Sequence, residues 1–76
     1  MKTENNIAAA IARSASHNEI VRCNVTVLAN GLRAVSEIAD VKDSSELDDT
    51  QSDARYIDVW GTTTDGSNFR LFIFAA

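Results

Sequence analysis

The chain has little of what small stable proteins and enzymes commonly rely on. It holds one cysteine, Cys23, and one histidine, His17. A lone cysteine excludes an intrachain disulfide, and one cysteine with one histidine cannot close a four-ligand zinc site. The glycines, Gly31, Gly61 and Gly66, are isolated, so no glycine-rich loop can cradle a phosphate. The longest apolar runs, residues 7–12 and 71–76, are six residues each, far shorter than the roughly 20 residues that cross a bilayer. Glu4, Asn5 and Asn6 interrupt the start of the chain where a secretory signal would turn apolar. Asn24-Val25-Thr26 fits a glycosylation sequon with nothing else to support secretion. Together these predict a cytoplasmic protein (host-cell cytoplasm if phage-encoded) with no membrane partner. Positive charge is scarce as well: seven Lys and Arg face eleven Asp and Glu, for a net charge of −4. That balance argues against binding nucleic acid directly through a basic face.

What remains is a chain of 76 residues, 45% of them hydrophobic, which is one small domain and not a disordered tail. Its acids are clustered. Asp40, Asp43, Glu46, Asp48, Asp49 and Asp53 are accompanied only by Lys42, a local charge of −5. Residues 42–54 therefore read as a long acidic loop, suited to a basic partner or simply to solubility. The Asp-x-Asp-x-Asp-Gly spacing of a calcium loop is absent.

Thr3 is a candidate N-cap for an alanine-rich helix over residues 4–15, with Ile7, Ala8, Ile11 and Ala15 on one face. Ser14, Ser16, His17 and Asn18 read as its stop. Residues 19–29 alternate, with Val21, Cys23, Val25 and Val27 on one side and Arg22, Asn24 and Thr26 on the other. Asn30-Gly31 suits a two-residue type I′ turn. A hairpin closed there pairs Cys23 with Ile38 and Val25 with Ser36 on one side, and Asn24 with Glu37 on the other. That sorting favours a strand at 32–41, although Leu32, Val35 and Ile38 also make a helical stripe.

Every aromatic side chain lies in the C-terminal stretch, RYIDVWGTTTDGSNFRLFIFAA. It reads as a hairpin of strands 55–62 and 68–75. A three-residue loop with Gly66 in a left-handed bulge position sets the register. Ile57 then faces Ile73, Val59 faces Leu71, and Phe69 covers the bare Gly61. On the other side Tyr56 pairs with Phe74, Asp58 with Phe72 and Trp60 with Arg70, the last a candidate cation–π contact.

The predicted fold is α+β: one N-terminal helix on a four-stranded antiparallel sheet, α-β-β-β-β, built from two hairpins. The most apolar strands, the first and last, belong in the middle, giving the order 2-1-4-3. The helix would cover Val21, Cys23, Val25, Val27, Ile38, Ile57, Val59, Phe69, Leu71 and Ile73. Tyr56, Trp60, Phe72 and Phe74 are left on a face with no second layer to bury them, beside Arg70. Exposed aromatic patches with an arginine mark binding surfaces.

No catalytic, cofactor or metal-binding residues are expected. Cys23 points into the predicted core, where a thiol is inert, and the one candidate base, His17, lies six residues away at a helix end. The reading is a small non-enzymatic protein-binding protein, an inhibitor or adaptor. Its contacts would be Tyr56, Trp60, Arg70, Phe72 and Phe74, with Asp43, Glu46, Asp48, Asp49 and Asp53 steering a basic partner. One alternative is an acidic mimic of nucleic acid that inhibits a nucleic-acid-binding complex. Its size, acidity and lack of enzyme motifs share the general style of phage and mobile-element inhibitors such as anti-CRISPR proteins, an analogy that no residue carries. Another alternative is a homodimeric structural protein, two copies pairing through the aromatic face.

Overall fold

The computed structural model describes residues 3–44 and 56–75. Its elements, in chain order, are β1 (Thr3–Glu4), α1 (Ile7–His17), β2 (Ile20–Val25), α2 (Leu28–Ile38), β3 (Asp40–Ser44), β4 (Tyr56–Thr62) and β5 (Asn68–Ala75). The sheet has five strands in the order β1-β2-β5-β4-β3. β1 and β2 run parallel, as do β2 and β5, while β4 runs antiparallel to both β5 and β3. The class is α+β, as expected, but with two helices and a mixed sheet instead of one helix and four antiparallel strands.

The first difference lies at α1. Thr3 does not cap it; Thr3 and Glu4 pair with Arg22 and Cys23 as an edge strand. Asn6 is the N-cap, its side-chain oxygen accepting the Ala9 N–H at 3.0 Å. The helix ends at Asn18, which adopts the left-handed conformation (φ 50°) and donates its N–H to the Ser14 carbonyl. Ser14 is therefore not part of the stop. The buried face of α1 is Ala10, Ile11 and Ser14, with Ile7 packed partly against the core, whereas Ala8 is exposed. The Ser14 hydroxyl donates to the Glu19 carbonyl at 2.6 Å and accepts the Arg70 N–H at 2.8 Å, tying the helix to the start of β5. A salt bridge from Arg13 to Glu19 (2.8 Å) closes the same corner.

The larger difference is residues 28–38, which form α2 instead of half a hairpin. Asn30-Gly31 is not a turn. Gly31 lies inside the helix, buried against the sheet, and a Cβ there would sit 3.0 Å from methyls of both Val25 and Ile73. The glycine serves close helix-on-sheet packing. The stripe Leu28, Gly31, Leu32 and Val35 has helical spacing, with Val35 fully buried and Leu28 and Leu32 packed on the core. Strand alternation and helix stripe overlap in this segment, and burial against β5 decides for the helix. Val27 and Ile38, expected in the core, are 49% and 42% exposed as a result. The order 2-1-4-3 is replaced too. β2 does adjoin β5, but in parallel, and the segment after α2 forms the far edge beside β4. The acidic stretch begins as strand β3, and its remainder, residues 45–54, lies outside the described residues.

The C-terminal hairpin has the expected register throughout, from Tyr56 opposite Phe74 to Thr62 opposite Asn68. Gly66 has φ 88°, and its N–H donates to the Thr63 carbonyl at 3.0 Å while the Thr63 N–H reaches the Ser67 carbonyl at 2.8 Å. This is a three-residue loop with a glycine bulge. The Asp65 carboxylate organises the loop by accepting from the Thr63 hydroxyl and the Ser67 N–H. Those hydrogen bonds, Thr63 first, hold its pKa below the usual carboxylate range.

Alternation along β2, β4 and β5 then places Val21, Cys23, Ile57, Val59, Phe69, Leu71 and Ile73 on one face. Ala10 and Ile11 of α1 and Val35 of α2 complete this core. Both helices therefore cover a single side of the sheet.

Gly61 faces that same side, and Phe69 does lie opposite it in register. The space a side chain would need is taken by backbone, however: a Cβ on Gly61 would lie 2.2 Å from the Asp40 carbonyl oxygen. The chain leaving α2 crosses directly over it, at an irregularity in β3 between Val41 and Asp43. Gly61→Ala should therefore cost roughly 2–4 kcal/mol, because backbone must move. Gly31→Ala meets only methyl groups and gains helix propensity, so it should change stability by about 1 kcal/mol or less. Urea denaturation of the two variants measures the contrast, and similar midpoints would contradict this packing.

Candidate functional site

The side of the sheet away from the helices carries the outward residues of β2, β5 and β4. Strand register arranges them in three rows: Ile20, Arg70 and Trp60; Arg22, Phe72 and Asp58; Asn24, Phe74 and Tyr56. No described element packs over these rows. Four aromatics, two arginines and one aspartate thus share one surface across three adjacent strands. Tyr56 is 60% exposed, and Trp60, Phe72 and Phe74 are half-buried.

The rings are partly shielded by their own neighbours. Tyr56 meets Phe72 edge to face, with centroids 6.0 Å apart. The Arg22 guanidinium lies over the Phe74 ring at 4.9 Å. Arg70 reaches along its strand over Phe72 at 5.6 Å, instead of across to Trp60. The reason is Asp58, the cross-strand neighbour of Phe72. Arg70 grips its carboxylate through both oxygens, Nε to Oδ1 at 3.0 Å and Nη2 to Oδ2 at 2.5 Å. A forked pair outweighs a single ring contact. The hydrogen bond and charge of Asp58 push the Arg70 pKa further up, so this guanidinium is permanently charged. Asp58, Trp60 and Arg70 line a shallow depression on this face.

All five residues singled out for the aromatic face, Tyr56, Trp60, Arg70, Phe72 and Phe74, are therefore brought together on one surface. Asp58 and Arg22 complete it and were not among them. Asp58 could have been read from its pairing with Phe72. Arg22 was placed on the polar side of residues 19–29, but the parallel pairing that sets it level with Phe72 was not expected. Of the acidic set, Asp43 lies on β3 opposite Trp60 in register. Glu46, Asp48, Asp49 and Asp53 lie outside the described residues.

Elsewhere, a cleft of about 500 Å3 opens between the starts of the two helices, beside Asn5, Asn24, Thr26 and Asn30. None of the residues lining it is an acid, a base or a thiol. His17 is exposed at the end of α1, its Nδ1 3.2 Å from the Arg13 carbonyl. Among the described residues, no helix is long and apolar enough to cross a membrane.

Comparison with protein-family models, with curated proteins and with solved structures finds no match to this chain. The functional reading rests on the surface itself.

Cys23 lies in the core with no exposed surface. Burial first, and the charge of Glu4 second, raise its pKa above the ordinary thiol value. The thiol should resist a chromogenic thiol reagent at pH 8 in the native protein and react once concentrated urea is added. Because the folded pKa is the higher one, Cys23 leaves stability unchanged below the unfolded thiol value, about 8.5, and weakens the fold as pH rises beyond it. Native reactivity equal to that in urea would contradict this burial.

Proposed function

We propose that this chain is a non-enzymatic interaction protein, an inhibitor or adaptor, that works by binding another protein on its outward sheet face. One observation carries the reading: the central strands β5 and β4 place Phe72, Phe74, Tyr56 and Trp60 on the side opposite both helices. Aromatic and arginine side chains supply most of the energy at protein interfaces, and all the rings here have an arginine or another ring beside them or in the same row. Parallel strands are ordinarily covered on both faces, which makes the open side of the β2–β5 pair a natural seat for a partner. The side chains here are already ordered by ring and ion-pair contacts. That lowers the entropy a partner must overcome on docking.

The test is a capture experiment with the tagged chain and a matched Trp60→Ala, Phe72→Ser double variant. Both substitutions lie outside the core, so circular dichroism should show the same fold. The wild-type chain should retain a partner protein that the variant loses. Identical capture by both would refute the proposed face.

A further inference from the structure

We propose that the partner seated on this face is a second copy of the chain, related by a two-fold axis running along β5. The inference rests on the docking reading above and names its occupant. Two sheets packed face to face lie about 10 Å apart with their strands roughly aligned. A two-fold axis along β5 places β5 over β5, and β2 of each copy over β4 of the other. The rows then decide the fit. Arg22 faces Asp58 of the second copy, twice, on either side of a central Phe72 pair. Ile20 faces Trp60, Asn24 faces Tyr56, and on the axis Phe74 meets Phe74 and Arg70 meets Arg70, each of these arginines being already held by Asp58 of its own chain. Each pairing follows from strand register alone, in which Arg22, Phe72 and Asp58 stand on one level.

The other simple arrangement is worse. A two-fold axis across the strands at Phe72 sets Arg22 against Arg22 and Asp58 against Asp58, and like charges in a desolvated contact are strongly disfavoured. The first orientation, an isologous contact, is therefore favoured: it makes two opposite-charge pairs and one like pair whose arginines are each held by Asp58, where the second makes two like pairs. The central row has most to gain. There Arg22 meets an opposite charge, Asp58, while it keeps its stacking over Phe74.

Light scattering behind size exclusion, repeated over a concentration series, tests this with the wild-type chain, Arg22→Gln and Phe72→Ser. The wild type should show twice the 8.2 kDa of one chain. Arg22→Gln should raise the dissociation constant about tenfold or more. Phe72→Ser should give single chains with an unchanged circular dichroism spectrum. A wild-type chain that stays single at about 1 mM overturns the second copy as partner, and leaves the docking face to the capture experiment. A double mass untouched by both substitutions places the dimer contact elsewhere, overturning this inference and counting against the face. Tighter association of Arg22→Gln would mean that Arg22 meets its own copy, which overturns the proposed axis.

Discussion

Strand β5 is hydrogen-bonded on both sides, to β2 in parallel and to β4 antiparallel, and its register with these two strands governs the rest of the structure. Strand side chains alternate, so a slip of one residue would exchange the two faces of the molecule. In the register adopted, Phe69, Leu71 and Ile73 enter the core, while Arg70, Phe72 and Phe74 stay outside. The bulged loop at Gly66 sets this from one end of the hairpin. The Ser14 hydroxyl, bound to the Arg70 N–H, anchors the same end of β5 to helix α1. A core this small tolerates little error, and both anchors act on the same strand.

The two faces divide the work. Val21, Cys23, Val59, Leu71 and Ile73 have no exposed surface, and together with Ala10, Ile11 and Val35 they supply the apolar burial that holds the chain folded. The opposite face adds little to that burial. Its rings and arginines are instead arranged among themselves, with Arg70 clamped by Asp58 and Arg22 resting on Phe74. The outward side of β2, β5 and β4 is thus a surface of mutually ordered aromatic and arginine side chains.

The C-terminal hairpin was legible from residue pattern alone, because both its turn chemistry and its alternation pointed to a single register. Residues 28–41 were not. Asn30-Gly31 is the strongest short hairpin signal a sequence can carry, and pairing Cys23 with Ile38 sorted the side chains plausibly. What settled the segment was tertiary. Val35 gains full burial against the sheet as part of a helix, and Gly31 permits the helix to approach Val25 and Ile73. Neither contact can be read locally. Once 28–38 became helical, β2 lost its hairpin partner but kept the strand at 68–75 as its neighbour, now in parallel, and that pairing brought Arg22 into line with Phe72 and Asp58. The aromatic half of the site was therefore readable and the arginine that completes it was not, since its place depends on that long-range pairing. The two-residue β1 was missed for the same reason, Thr3 having the chemistry of a helix cap but the position of an edge strand.

The central claim is that the outward face is a surface to be covered, and Trp60 reports on it directly as the single tryptophan of the chain. The measurement is acrylamide quenching of its fluorescence as the protein is taken from high dilution to about 1 mM, where even weak pairing is populated. At high dilution the indole, half-buried on the open face, should be quenched readily. As concentration rises it should become protected, and Phe72→Ser should abolish that protection. Quenching that stays constant across the whole range, in wild type and variant alike, would contradict a face that closes on a second copy.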